Sequence, residues 1–101
     1  MQTYIIRRRH GWRTPEELER AAVRSRRVGE EMPAEVRWIR TYVVREADGT
    51  LGTVCVYQAV SAAAIEAHAA RVGMPADEIM PSVGTVLVRP DPIELEAQAA
   101  E

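Results

Sequence analysis

Cys55-Val56-Tyr57-Gln58-Ala59-Val60-Ser61, continued by Ile65, His68, Gly73 and Met74-Pro75-Ala76-Asp77-Glu78-Ile79, decides the fold. The first half, with Val56, Tyr57 and Val60, reads as a strand. Ser61 then stands where a helix N-cap belongs, before Ala62 to about Val72. Gly73 is placed as the residue that stops that helix. Strand, capped helix, stop and turn thus follow in one run, which also holds the sole cysteine and one of two histidines.

Upstream, Leu51 to Gln58 is the return arm of a hairpin. Its partner is Val36 to Glu46, and Ala47-Asp48-Gly49-Thr50 supplies the Asp-Gly turn. Before it, Thr14-Pro15-Glu16-Glu17 starts a helix, with threonine at the cap, proline at the first position and glutamate three residues on. Leu18, Ala21, Ala22, Ser25, Val28, Gly29 and Met32 recur at helical spacing, so this helix runs to about Met32, where Pro33 ends it. Thr3 to Arg9 is a first strand, and His10-Gly11-Trp12-Arg13 a connecting loop. Downstream, Met74 to Met80 reads as a turn or short helix, and Val83 to Arg89 as a fourth strand. Residues 1–89 form one domain; 90–101 is an acidic, helix-prone tail.

The order βαββαβ is the ferredoxin-like pattern of the α+β class: a four-stranded antiparallel sheet with two helices on one face. Strict alternation puts Ile39, Thr41 and Val43 on one side of the second strand, and Trp38, Arg40, Tyr42 and Val44 on the other. The face without helices then carries apolar groups. It expects a cover, either a second copy packed sheet on sheet as a homodimer or the C-terminal tail.

Composition narrows the function classes. One hundred and one residues make a single small domain, and 47% hydrophobic content suits a packed core. No apolar run reaches membrane-spanning length, and Ile5-Ile6 runs straight into Arg7-Arg8-Arg9 rather than into a signal-peptide core. A cytoplasmic location and no membrane partner are expected, in keeping with a lone cysteine. The first fifty residues carry 11 arginines against 8 acids, and the rest 2 against 7. Helical arginines interleave with glutamates, and the net charge is −2, so no nucleic-acid partner is expected despite Arg7, Arg8, Arg9 and Arg13 beside Trp12.

Glu30-Glu31-Met32-Pro33, Val36 to Val43, Cys55-Val56-Tyr57, Ile65, His68-Ala69 and Gly73 to Ile79 together resemble a family of small bacterial ferredoxin-like domains of unknown function. That family includes an actinobacterial nickel-binding protein. The resemblance covers roughly residues 3 to 86 and implies a ferredoxin-like fold, a dimer and a nickel(II) role. It points to His68, His10 and Cys55, in that order, as metal ligands.

Each has a structural alternative. His68 shares a stripe with Ile65, Ala69 and Val72 and is either a preorganised ligand or a packed histidine bonded to backbone or tyrosine. His10 is a ligand or an exposed loop residue, and Cys55 a ligand or a small buried hydrophobe. Asp77-Glu78 offers oxygen ligands or local capping. A second function class is a small organic ligand, bound or transformed in a cavity between the open sheet and a partner. Trp38, Arg40, Tyr42 and Tyr57 would line it, joined by Tyr4, Arg8 and Cys55. No Ser-His-Asp order, phosphate loop or paired carboxylates are found, so a non-enzymatic binding protein is expected.

Overall fold

A computed structural model describes residues 1–92 of the chain. Six elements follow in the order β1 (Gln2–Trp12), α1 (Pro15–Glu30), β2 (Val36–Arg45), β3 (Leu51–Ala59), α2 (Ala62–Val72) and β4 (Glu78–Pro81). The sheet order is β2-β3-β1-β4, and every neighbouring pair is antiparallel. This is the ferredoxin-like arrangement.

The helix ends obey their local signals. Thr14 accepts from the Glu17 N–H, and the Glu17 carboxylate accepts from the Arg13 N–H, so two donors with no helical partner are satisfied. α1 ends at Glu30, two residues before the expected limit. Ser61 accepts from the Ala64 N–H, and Gly73 closes α2 in the left-handed region at φ 83°, donating to Ala69 O. The hairpin turns through Asp48-Gly49, with the Glu46 N–H donating to Thr50 O.

Three expectations change. The fourth strand is Glu78–Pro81, not Val83 to Arg89. Gly73 stops α2 so abruptly that four residues bring the chain to the edge of β1, where Tyr4 pairs with Pro81 and Arg7 with Glu78. Val83 and Val86 downstream are 101% and 92% exposed; the β1 edge is already taken by Glu78–Pro81. Secondly, β1 reaches Trp12 instead of ending at Arg9, with an irregularity between Arg8 and Trp12. Carboxylates replace the missing ladder partners there: Asp77 accepts from the Arg9 N–H and Glu46 from the His10 N–H.

Thirdly, β2 carries a bulge between Trp38 and Arg40. Trp38 pairs with Tyr57, Thr41 with Cys55 and Val43 with Thr53, so all three β2 residues share the helix-covered side. Arg40 and Tyr42 pair with Val56 and Val54 on the open side. Simple alternation grouped Trp38 with Arg40 and Tyr42; the inserted residue separates them. The acidic tail lies mostly outside the described residues.

The core is in two parts. Ile6, Met32, Val36, Cys55, Tyr57, Ala59 and Ile65 form one cluster, and Trp12, Ala21 and Leu51 the other. Between them Ser25 of α1 meets Tyr57 of β3 through their hydroxyls, 3.1 Å apart.

Candidate functional site

The polar residues of this fold collect at two places: the hairpin end of the sheet and the interval between α1 and the sheet. His10 belongs to the first. It is the one described non-glycine residue with positive φ, 51°, a conformation that histidine tolerates better than most side chains. Its Nδ1 lies 3.1 Å from Asp48 Oδ2 and 2.9 Å from Thr50 Oγ1. A carboxylate only accepts, and the Thr50 hydroxyl donates to Asp48 Oδ1 at 2.6 Å. Nδ1 therefore carries the proton, and Nε2 keeps its lone pair. Hydrogen bonds from Thr50, with His10 adding to them, hold the Asp48 carboxyl below its ordinary range. Glu46 is also held low, chiefly by the Arg7 guanidinium, which it accepts from at 2.7 and 3.0 Å.

His68 sits at the second place and is buried. Its ring meets Tyr57 edge-on, with centroids 5.6 Å apart, and Nε2–H donates to Ser25 O across 3.1 Å. This is the packed geometry: the expected stripe of Ile65, His68, Ala69 and Val72 is buried as a unit. Nδ1 holds a lone pair without a donor. Burial first, then the charge of Arg8 and Arg71, pushes the His68 pKa down and keeps the ring neutral.

Cys55 is buried one pair from Tyr57 on the same strand. Its Sγ accepts from Thr41 Oγ1 at 3.2 Å and donates to Thr53 Oγ1 at 3.4 Å. The structure thus keeps His68 and Cys55 in the interior near Tyr57 and leaves His10 outside, at the end of β1 beside the hairpin turn. Among the described residues no three of His, Cys, Asp and Glu converge on one point. Asp77 and Glu78 are engaged with Arg9.

The expected organic-ligand set is also divided. Trp38 and Tyr57 stack with centroids 6.2 Å apart on the helix-covered side. Tyr42 donates to Asp91, and Arg40 pairs with the same carboxylate at 3.0 Å, on the open side. Tyr4 packs against the main core cluster. The arginine run is broken up as well: Arg7 pairs with Glu46, Arg9 with Glu78, and Arg8 is buried. Trp12 is buried with Ala21 and Leu51.

Arg8 is the residue that sequence reading placed on the wrong side. It is 1% exposed. Its Nη1 donates to Pro75 O at 2.7 Å. Its guanidinium carbon lies 5.9 Å from the Tyr57 ring centroid, and burial raises the pKa of that tyrosine. The available signal was parity: Ile6 points into the core, so Arg8, two residues on, must too.

Comparison with known proteins adds three findings. A family model described as Nickel responsive protein SCO4226-like matches residues 4–81. The crystal structure of SCO4226 from Streptomyces coelicolor A3(2) superposes with a TM-score of 0.67 at 21% identity. That superposition covers 83% of this chain and 99% of the other, which establishes a common fold. Among curated proteins, none matches the chain. No described helix is long and apolar enough to cross a membrane.

Proposed function

The chain belongs to the nickel responsive SCO4226-like family, and from that premise we propose that it is a small nickel(II)-binding protein whose metal docks on the hairpin end of the sheet through His10. One observation carries the reading. His10 is the described histidine whose ring is solvent-accessible, and Asp48 holds its Nδ1–H so that Nε2 is free to ligate. A carboxylate that orients an imidazole and raises its basicity is a common support for a metal-bound histidine. Nickel(II) accepts imidazole with carboxylate or water in square-planar or octahedral sets.

The fit within one chain is partial. His10 supplies one imidazole through Nε2, Asp48 orients the ring from its Nδ1 side and Glu46 is held by Arg7, so the remaining positions fall to water or to a second copy of the chain. The local charge does not oppose a dication, because Arg7 and Arg9 are each paired with an acid. The interior is less suitable: His68 is buried near the Arg8 guanidinium, and its Nε2 is committed to Ser25.

Calorimetric titration of the metal-free protein with nickel(II) tests this. Wild type and His68→Ala bind alike, and His10→Ala loses the heat. A stoichiometry of one metal per two chains identifies a site shared by a homodimer. Loss of binding in His68→Ala with retention in His10→Ala would move the site to the interior. Acid weakens binding, since the proton competes with the metal for imidazole.

A further inference from the structure

The structure assigns a second, separate binding site to the interval between α1 and the sheet, and its ligand is a small hydrophobic monocarboxylate anchored by Arg8.

A cavity of about 250 Å³ lies between the two core clusters. Its floor is Arg8, Thr53, Cys55 and Tyr57 from the sheet, and α1 forms its roof. The walls are mainly apolar, with both tryptophans of the chain, Trp12 and Trp38, among them. Through Ser25, Trp38, Thr41 and Tyr57 it continues into a wider groove of about 650 Å³ between α1 and β2. Arg26 and Arg37 line that outer groove against a single acid, Glu30, and Arg40, also on its lining, is paired with Asp91. A passage lined in this way draws anions inward.

The electrostatics name the occupant. Arg8 is fully buried, yet none of the ion pairs among the described residues includes it. Pro75 O takes one of its donors, and Nη2 has no partner. The face of Tyr57 offsets part of the charge. A guanidinium in an apolar interior is strongly disfavoured unless an anion accompanies it. Water would satisfy the Nη2 hydrogen but leave the charge.

Arginine matches a planar carboxylate. A phosphate, with its higher charge, would need several donors, and the cavity offers few. The Tyr57 and Ser25 hydroxyls, 3.1 Å apart, also line it, while the Thr41 and Thr53 hydroxyls are engaged with Cys55. The volume lies just below the ~300–1,000 Å³ usual for drug-sized ligands, which limits the body of the acid to about the size of benzoate. His68, whose Nδ1 is the other buried side-chain atom without a partner among the described residues, is part of the lining of the adjoining groove.

Cyclohexanecarboxylate, benzoate and propionate serve as probes, with cyclohexanecarboxamide as the neutral control of the same shape. Binding is read by calorimetry and, for the non-absorbing probes, by tryptophan fluorescence, since both tryptophans border the cavity. At least one carboxylate binds wild type saturably in the millimolar range or tighter. The amide binds at least tenfold more weakly, and Arg8→Met loses the carboxylate by a similar factor.

Nickel titration of Arg8→Met is unchanged, so failure here is distinct from failure at the hairpin. If Arg8→Met does not fold, the wild-type preference for carboxylate over amide decides alone. No saturable binding of any of the three acids at 10 mM (roughly 2.7 kcal/mol of affinity by the usual conversion), or equal binding of acid and amide, would overturn the assignment. Inorganic phosphate competing better than the carboxylates would overturn the ligand class.

Discussion

Burial holds the His68 imidazole neutral, and the sign of the consequence can be worked out. The folded pKa lies below the ordinary 6.5, so the unfolded chain binds the proton more readily. Stability from the neutral ring is fully present above about pH 6.5 and is lost as pH falls toward the lowered folded value. Urea denaturation of wild type should therefore show stability declining through that window. His68→Gln should show a shallower decline, and a slope equal to wild type would contradict a buried neutral His68.

At Gly52 a Cβ would lie 2.6 Å from the Arg8 backbone oxygen, beside the Arg7–Glu46 pair. Gly52→Ala should cost roughly 1–3 kcal/mol by overpacking, measured by the same method. Much of this scale could be read in advance. Ser61, Gly73 and Thr14 act where their types predict. The fates of Arg7, Arg8 and Arg9 were legible only through parity, because three identical residues in a row look like one charged patch. Partners distant in sequence separate them: Glu46 and Glu78 for the outer two, Pro75 for the inner one.

Elements with local signals, the capped helix starts and the two arms of the Asp-Gly hairpin, form where the sequence places them; the strand that depends on reaching a distant edge does not. α2 matches its expected limits because Ser61 and Gly73 are intrinsic to it. β4 does not, because its position depends on which segment first reaches the free edge of β1. Val83 to Arg89 has the better strand composition, but Glu78–Pro81 arrives first. The β2 bulge is invisible to an alternation count for a similar reason: it is set by register against β3 and the packing of Trp38 on Tyr57. Its functional effect is to bring Trp38 to the interior cleft and leave Tyr42 outside. Thr14→Ala, which removes the α1 cap, should cost ~1 kcal/mol, read as a lower urea midpoint with an unchanged slope. A midpoint equal to wild type would show that the Glu17 bond to the Arg13 N–H suffices alone.

Across the whole molecule, the two proposed sites share no described side chain. The hairpin end presents a polar, exposed imidazole beside carboxylates; the interval under α1 presents a buried cation among aromatic rings. The family resemblance points to His68, His10 and Cys55 together as ligands. The folded chain separates them by burial: His68 and Cys55 are committed to internal hydrogen bonds, and His10 is accessible. Whether a second copy contributes to the metal is read from stoichiometry.

The most direct test of the proposed nickel site is an amide NMR spectrum of the labelled protein with substoichiometric nickel(II), which one imidazole completed by oxygen and water holds in the octahedral, paramagnetic form that broadens nearby signals. Broadening centred on Arg9 to Gly11 and Ala47 to Thr50 is the predicted result. Broadening centred on Ser25, Tyr57 and His68, or none at all, would contradict a metal held at His10.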